Sequence, residues 1–463
     1  MTQQEQTEPQ FNVVQQAISR WKAFLAPKTH RIAEFFVWQG ITMAGNLLYG
    51  FLCVRLLPIP DYAKFVVIFA IQGSLVVLMD VGITGSLVPL VGQRIDDRQL
   101  IADLVASLRQ LAHWLFAIVA PLTIIVYPLL VRNRHWSWQT VAAMVAILLV
   151  SVWFARVGAA YGAVMLLRRD RRRWYQAQMV SSLGTLSLLL IFFAFHWLNA
   201  FSAILINVSG VIYVGSTCYL RSRQLLGVVG VSSKEKRSAI VHYTLPALPS
   251  VIYFAVQGPL SVLLITIFGH TAGVASVGAL SRLGQGFTLI YQMNLVLVEP
   301  YFARLPKSQL KSHYLGAVTV TACFGLCVVA LARAFPGAFL WILGPKYANL
   351  RYEVLLVMLG GSMGLVGGIM ATINGARRFV YYWDNMARNI LTLVVQIVFI
   401  WKADLSNVRT VLWFGIATGL PSLVLQAAVG VYGCIRGPRR IAGLDHFADQ
   451  HGSGSSVTDE PLL

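Results

Sequence analysis

Charged residues are scarce in this chain, and acidic residues are scarcer still. Of the 463 residues, 12% are charged and 57% are hydrophobic, with 18 acidic residues against 37 basic ones. An average soluble domain carries about 25% charged residues. A water-soluble fold of this size would need more polar surface than these residues supply. The shortage therefore excludes an ordinary globular protein, and the mean hydropathy of +0.67 agrees.

Cysteine is also rare, and its placement argues against metal and redox sites. The five cysteines all lie in or at the end of apolar segments: Cys53, Cys218, Cys323, Cys327 and Cys434. Cys323 and Cys327 share a helix face, but no histidine or acidic residue joins them to complete a ligand set. The sequence also lacks GxSxG, HExxH and P-loop motifs. We therefore expect no metal and no cofactor.

Long apolar segments make up most of the chain. Twelve of them lie near residues 33–55, 65–91, 108–131, 140–167, 175–197, 200–221, 244–269, 273–302, 314–335, 353–375, 386–402 and 409–435. Most are long enough to cross a hydrocarbon core about 30 Å thick as a helix. Their continuity is unlike the alternating pattern of barrel strands. The sequence predicts an all-α polytopic membrane protein with about 12 transmembrane helices.

Basic residues are concentrated in every second connector, most densely at 168–173 and 234–237. With the N-terminus placed inside, the inner connectors and tails hold 25 lysines and arginines, and the outer connectors hold 8. Cytoplasmic loops retain positive charge, so this asymmetry predicts that both termini are cytoplasmic. The net charge of +19 is then expected to meet anionic membrane lipids rather than nucleic acid.

The longest inner connector divides the spans into two sets of six. The predicted organisation is a cytoplasmic N-tail (1–31), an N-lobe (32–222), a linker (223–242), a C-lobe (243–436) and a disordered tail (437–463). Because six is even, both halves enter the membrane in the same direction, as parallel repeats do. In the N-tail, apolar residues at helical spacing predict an amphipathic helix on the membrane surface.

Ionisable residues within the spans are few, and each is costly to place in lipid. Arg156, Arg282 and Asp80 lie deepest, and Arg55 ends the first span on the outer side. A guanidinium donates paired hydrogen bonds to phosphate, so the arginines are candidates for binding a polyanion. The alternative is an internal ion pair of Asp80 with an arginine. Four others lie near segment ends, where they can reach water: Glu34, Arg109, Glu299 and Arg333.

Amide side chains occur in spans of both halves, together with aromatic residues. The amides are Gln39, Asn46, Gln72, Gln257, Gln285, Gln292, Asn294 and Asn374. Amides beside aromatic rings suit sugar binding, but amides also form hydrogen bonds between membrane helices. Both interpretations stay open at the level of sequence.

A short motif resembles the start of the Wzx-like polysaccharide flippases. The run Arg55-Leu-Leu-Pro-Ile-Pro-Asp-Tyr-Ala63 is followed by Asp80-Val-Gly82-Ile. The flippases often read R-x-L-x-x-x-x-Y-G and then D-x-G-(I/L), so Ala63 stands where glycine is usual. They belong to the multidrug/oligosaccharidyl-lipid/polysaccharide (MOP) exporter superfamily. The twelve-span plan resembles that superfamily over about residues 32–436.

The resemblance implies two six-helix lobes around a central cavity in the bacterial inner (cytoplasmic) membrane. It implies alternating access that moves an undecaprenyl-pyrophosphate-linked oligosaccharide between leaflets, for surface or exopolysaccharide biosynthesis. Its partners would be that polyprenyl-pyrophosphate-linked glycan and the polysaccharide polymerase and export machinery. A cationic cavity would hold the pyrophosphate, with Arg156, Arg282 and Arg55 as candidates by position. Asp80 matches the motif.

Two alternatives come from different classes of protein. A drug/cation antiporter of the same superfamily would need acidic residues deep in a lobe, where Asp80 is the candidate. A membrane polysaccharide polymerase or glycosyltransferase would need a large external loop or a set of external carboxylates. The longest outer connector, about 336–352, has Glu353 near its end and little else acidic. We therefore expect a transporter and not an enzyme.

Overall fold

The computed structural model describes residues 29–92, 94–132, 136–294, 298–377, 379 and 382–436, with side chains left out for 29–36, 247, 289, 307, 382–383, 385 and 436. The predicted amphipathic N-tail helix lies almost wholly outside these residues, as does the polar tail 437–463. The described residues form helices and turns, and no strand is found among them. They group into two compact units, which divide between Pro259 and Leu260.

The first unit contains the helices that correspond to the first six predicted spans. Its helices are α1 (Thr29–Leu56), α2 (Ile59–Asp80), α3 (Leu87–Val91), α4 (Arg98–Val131), α5 (Trp138–Leu167), α6 (Arg171–Ala194), α7 (Ala200–Leu226), α8 (Lys234–Thr244) and α9 (Leu248–Gln257). Short 3₁₀ turns cover Thr84–Ser86 and Leu245–Ala247. The second predicted span is shorter than expected, because α2 ends at Asp80 and a turn follows.

The second unit contains the remaining spans. Its helices are α10 (Leu260–Phe268), α11 (Thr271–Met293), α12 (Glu299–Arg304), α13 (Lys307–Ala334), α14 (Pro336–Leu343), α15 (Arg351–Ala376), α16 (Tyr382–Lys402) and α17 (Val408–Arg436). A 3₁₀ turn covers Pro345–Tyr347. α15 packs against α13, α11 and α17, so it lies at the centre of this unit.

The helices confirm an all-α polytopic membrane protein. Among the described residues, nine helices are long and apolar enough to span a membrane, or ten if α8 and α9, bent by 63°, count as one span. The predicted seventh span is broken into α9 and α10, since Pro259 between them cannot donate a backbone hydrogen bond. The predicted eighth and eleventh spans are the 23-residue α11 and the 21-residue α16.

Capping residues explain where several helices begin. The side chain of Asp97 accepts a hydrogen bond from the backbone N–H of Leu100 at the start of α4, and Ser137 does the same for Thr140 at the start of α5. Asn199 and Ser202 form a reciprocal capping box at the start of α7. These contacts satisfy N–H groups that have no partner within the helix.

Glycines let α5 and α7 approach closely. A Cβ atom added to Gly158 of α5 would lie 3.5 Å from the Cα of Gly215 on α7, and one added to Gly215 would lie 2.6 Å from the carbonyl oxygen of Phe154. Small residues at such crossings allow backbones to pack directly in a membrane. Gly158 and Gly162 are four residues apart on α5, and a Cβ added to Gly162 would meet the ring of Trp174 on α6 at 2.7 Å.

The basic linker packs against the first unit. Lys236 of α8 forms an ion pair with Asp103 of α4 at 2.5 Å, and the Nη1 of Arg237 donates to Gln110 at 2.7 Å. Ile240 is fully buried in the same apolar cluster as Leu104. These contacts place the linker against the first six spans, and the two compact units divide at Pro259, within the predicted seventh span.

Candidate functional site

Arg156 lies in the interior of the first unit and is almost fully buried. It is the nineteenth of the 30 residues of α5 and is 3% exposed. Its Nη2 donates to the carbonyl oxygen of Leu108 on α4 at 2.6 Å. Its Nε is buried without a hydrogen-bond partner in the described part of the chain. A buried donor left unpaired costs about 1–3 kcal/mol, so this guanidinium is incompletely compensated.

Asp80 shapes a turn at the end of α2. Its Oδ1 accepts hydrogen bonds from the backbone N–H of Thr84, at 3.2 Å, and from the Thr84 hydroxyl. Val81 and Gly82 have φ angles of 45° and 80°, a conformation that glycine adopts without steric cost. The Asp-x-Gly part of the motif therefore forms a left-handed turn that the aspartate caps.

Asp80 and Arg156 lie in different helices of the first unit. Within the described residues, their side chains form no ion pair at 4.0 Å or less. The alternative of an internal ion pair between Asp80 and an arginine is therefore not seen for Arg156.

Arg109 lies beside the residue that Arg156 contacts. Its position near the end of a predicted span led us to expect that its side chain reaches water. It follows Leu108 on α4, its side chain is exposed, and its charge lies near the hydroxyl of Tyr161 on α5. The ring of Tyr161 in turn meets that of Tyr219 edge-on, with centroids 5.0 Å apart. Sequence spacing could not reveal this contact, because Arg109 and Tyr161 are on different helices.

Arg282 lies in the middle of α11, in the second unit. It is the twelfth of 23 residues and is 6% exposed. Its Nη1 donates to the Oε1 of Gln285, one turn further along the helix, at 3.3 Å. One of the amides noted in the sequence thus orients an arginine.

Arg55 lies apart from the other first-unit candidates. It is exposed in the last turn of α1, where the negative end of the helix dipole favours a cation. Asp80 lies at the far end of α2, whose 22 residues span roughly 30 Å at 1.5 Å per residue. The structure therefore places Arg55 at the opposite end of α2 from Asp80, away from Arg156.

Polar contacts elsewhere connect helices of the second unit. The Nε of Arg409 on α17 binds the Oε1 of Glu353 on α15 at 2.6 Å. The Nδ2 of Asn374 donates to Gln426 of α17 at 3.0 Å. These cross-helix contacts favour the packing interpretation for Asn374. Among the described residues, no group of three or more histidine, cysteine or acidic side chains could hold a metal ion.

Comparison with known proteins supplies the class. No family model and no curated protein matches the chain. Solved structures do match. An inward-facing multidrug resistance MATE family transporter of the MOP superfamily has a TM-score of 0.62 and 16% identity, covering 85% of this chain and 94% of that one.

Two further structures agree in fold. A MATE protein in complex with MaD3S has a TM-score of 0.53 and 16% identity, with 87% and 94% coverage. A MOP superfamily transporter from Pyrococcus furiosus, described as having a binding pocket of reversed polarity, has a TM-score of 0.51 and 14% identity. The match covers 87% of this chain and 94% of that one. The chain is thus a polytopic α-helical membrane protein with the fold of MATE transporters of the MOP superfamily.

Proposed function

We propose that this protein is a flippase that moves an undecaprenyl-pyrophosphate-linked oligosaccharide across the bacterial inner membrane by alternating access. The observation that carries the proposal is one deeply placed, buried arginine in each unit, Arg156 and Arg282. A pyrophosphate is a polyanion, and guanidinium groups bind phosphate oxygens through paired, charge-assisted hydrogen bonds. Arg156 also retains an unpaired donor, Nε, that a phosphate oxygen could accept from after a small rearrangement.

The engagement of acidic residues by other groups supports an anionic rather than a cationic substrate. Asp80 is engaged by Thr84 in a turn, and Glu353 is paired with Arg409. In a low-dielectric region a guanidinium attracts an opposite charge strongly. The neighbour described as having a pocket of reversed polarity is consistent with the idea that this fold accepts substrates of different charge.

A drug/cation antiporter is the second candidate, and Asp384 is the observation that favours it. This residue lies in the first turn of α16, is 6% exposed, and its Oδ1 is buried without a hydrogen-bond partner in the described part of the chain. A buried carboxylate is a group to which a proton or cation binds. The structural neighbours include proteins described as multidrug resistance transporters.

A deletion strain separates the two functions. Loss of the flippase should leave lipid-linked glycan accumulating on the cytoplasmic leaflet while its assembly continues. Loss of an antiporter should instead raise drug sensitivity and leave the glycan unchanged. Lipid-linked oligosaccharide analysis beside a drug-susceptibility panel measures both results. Normal glycan export in a strain without a redundant flippase would exclude the proposal.

Complementation with Arg282 variants tests the proposed contact. We expect Arg282→Ala to lower export by about tenfold or more, since a hydrogen bond to a charged group contributes roughly 1.5–3 kcal/mol. Arg282→Lys should retain part of the activity, because the charge remains and only the planar fork is lost. Arg333→Ala, which removes an exposed arginine at the end of α13, is the matched control. Full export by Arg282→Ala at normal abundance would remove Arg282 from the site.

A further inference from the structure

Four exposed arginines form a patch where α5 ends and α6 begins. The arginine patch consists of Arg169, in the turn after α5, and Arg171, Arg172 and Arg173, in the first turn of α6; all four side chains are exposed. Three of them occupy the positive end of the helix dipole, where a cation is unfavourable. These three arginines therefore do not stabilise α6 itself.

The acidic residue inside this run is committed elsewhere. Asp170 lies between Arg169 and Arg171, but its Oδ2 accepts a hydrogen bond from the Nε of Arg221 on α7 at 2.7 Å. Arg168 just before the patch is also engaged, since it donates to the carbonyl oxygen of Ile95 at 2.9 Å. None of the ion pairs between described residues involves the patch. Its positive charge is uncompensated by this part of the chain.

An apolar surface runs along α6 from the patch. Val180, Leu183 and Ile191 on this helix are 46%, 40% and 48% exposed. Val180 follows Arg173 by seven residues and Ile191 follows Val180 by eleven, or about two and three turns, so these three residues share a helix face, and Leu183 lies beside it. Arg171 and Arg172 lie on the other sides of the first turn of α6. The helix thus carries a concentrated positive charge at its N-terminal end and exposed apolar side chains along its length. A phospholipid with an anionic headgroup has the complementary arrangement.

We propose that the arginine patch and the apolar face of α6 form a binding site for an anionic phospholipid. The guanidinium groups bind the headgroup phosphate, and the acyl chains lie along Val180, Leu183 and Ile191. Near an anionic surface each arginine contributes about 1 kcal/mol, or roughly fivefold in affinity. Three arginines together would therefore favour an anionic lipid over a neutral one by on the order of 100-fold. This site is separate from the transport site and does not depend on it.

Native mass spectrometry of the purified protein tests the proposal. The protein in detergent is titrated with phosphatidylglycerol and, in parallel, with phosphatidylcholine. We expect the wild type to retain phosphatidylglycerol preferentially and the variant R171Q/R172Q/R173Q to lose that preference. The control R94Q/R98Q/R351Q removes three exposed arginines, two of which also begin helices, and should keep it. A patch variant with unchanged preference, or a wild type with none, would overturn the proposal.

Two further measurements keep the result unambiguous. The thermal unfolding midpoint is measured with phosphatidylglycerol and, separately, with inorganic phosphate at the same concentration. Phosphatidylglycerol should raise the midpoint more than inorganic phosphate does. An equal rise with both would show that the site takes a free anion and not a lipid. If the triple variant fails to fold, the single variant R172Q should show a loss of about fivefold in the lipid preference. An R172Q protein that keeps the full preference contradicts the site.

Discussion

The buried guanidinium of Arg156 can be tested separately as a link between helices and as a contact for substrate. We expect Arg156→Met to change the free energy of unfolding by less than about 1 kcal/mol, because replacing a buried charge with an apolar side chain of similar volume is often neutral or stabilising. The same variant should lose export by about tenfold or more, since the charge that would bind phosphate is gone.

Thermal unfolding of the purified variant, beside an export assay, separates these outcomes. Arg333→Met is the control, because it replaces an exposed arginine. A variant of Arg156 that loses stability and export together would indicate that the bond to Leu108 holds α4 against α5, and that the residue acts through the fold.

Residue identities alone assigned Asp80 to a motif and left its structural role open. The Asp-x-Gly spacing was visible in the sequence, whereas the contact with Thr84 and the left-handed φ angles of Val81 and Gly82 were not. Predicted span ends are uncertain because hydropathy does not fall where α2 stops. The turn that follows Asp80 contains no charged residue and includes Val81 and Ile83, so hydropathy does not mark the end of the helix.

At the level of helices, the close contact between α5 and α7 predicts that replacing glycine with alanine changes stability differently at Gly158 and at Gly215. Gly215→Ala would place a Cβ 2.6 Å from the carbonyl oxygen of Phe154, while Gly158→Ala would make an ordinary 3.5 Å contact. Overpacking costs about 1–3 kcal/mol, and alanine in a helix interior gains up to about 1 kcal/mol over glycine. We expect Gly215→Ala to lower the thermal unfolding midpoint and Gly158→Ala to leave it unchanged or raise it.

The two variants control for each other, since both add one methyl group to the same helix pair. Equal midpoints in detergent would contradict the close approach of α5 and α7. The sequence alone could not pair Gly158 with Gly215, because tertiary packing decides which helix is the neighbour of α5.

For the whole molecule, the excess of basic residues in alternate connectors predicts a topology that reporter fusions can measure. Alkaline phosphatase is active outside the cytoplasm, so a fusion after Asp404, between α16 and α17, should be active. A fusion after Gly230, before α8, should be inactive. A fluorescent protein fused after Arg436 should fold and fluoresce, as expected for a cytoplasmic C-terminus. The opposite pattern at these three positions would reverse the predicted orientation.

The class of the protein could be read from the chain alone. Hydropathy and the positions of lysine and arginine are local properties, so they indicate membrane helices and a predicted orientation without knowledge of any contact. The fold match to MATE transporters agrees with the class.

Other features depended on the tertiary structure. Arg156 meets Leu108, Arg109 meets Tyr161, and the linker residue Lys236 meets Asp103. Each of these pairs joins residues on different helices, and the sequence contains no signal for which helices become neighbours. Packing also decided which charges are available: Asp170 is taken up by Arg221, while the arginines beside it remain exposed. Burial and hydrogen bonding, which arise only when helices assemble, separate the arginines that orient the protein from those proposed to bind a ligand.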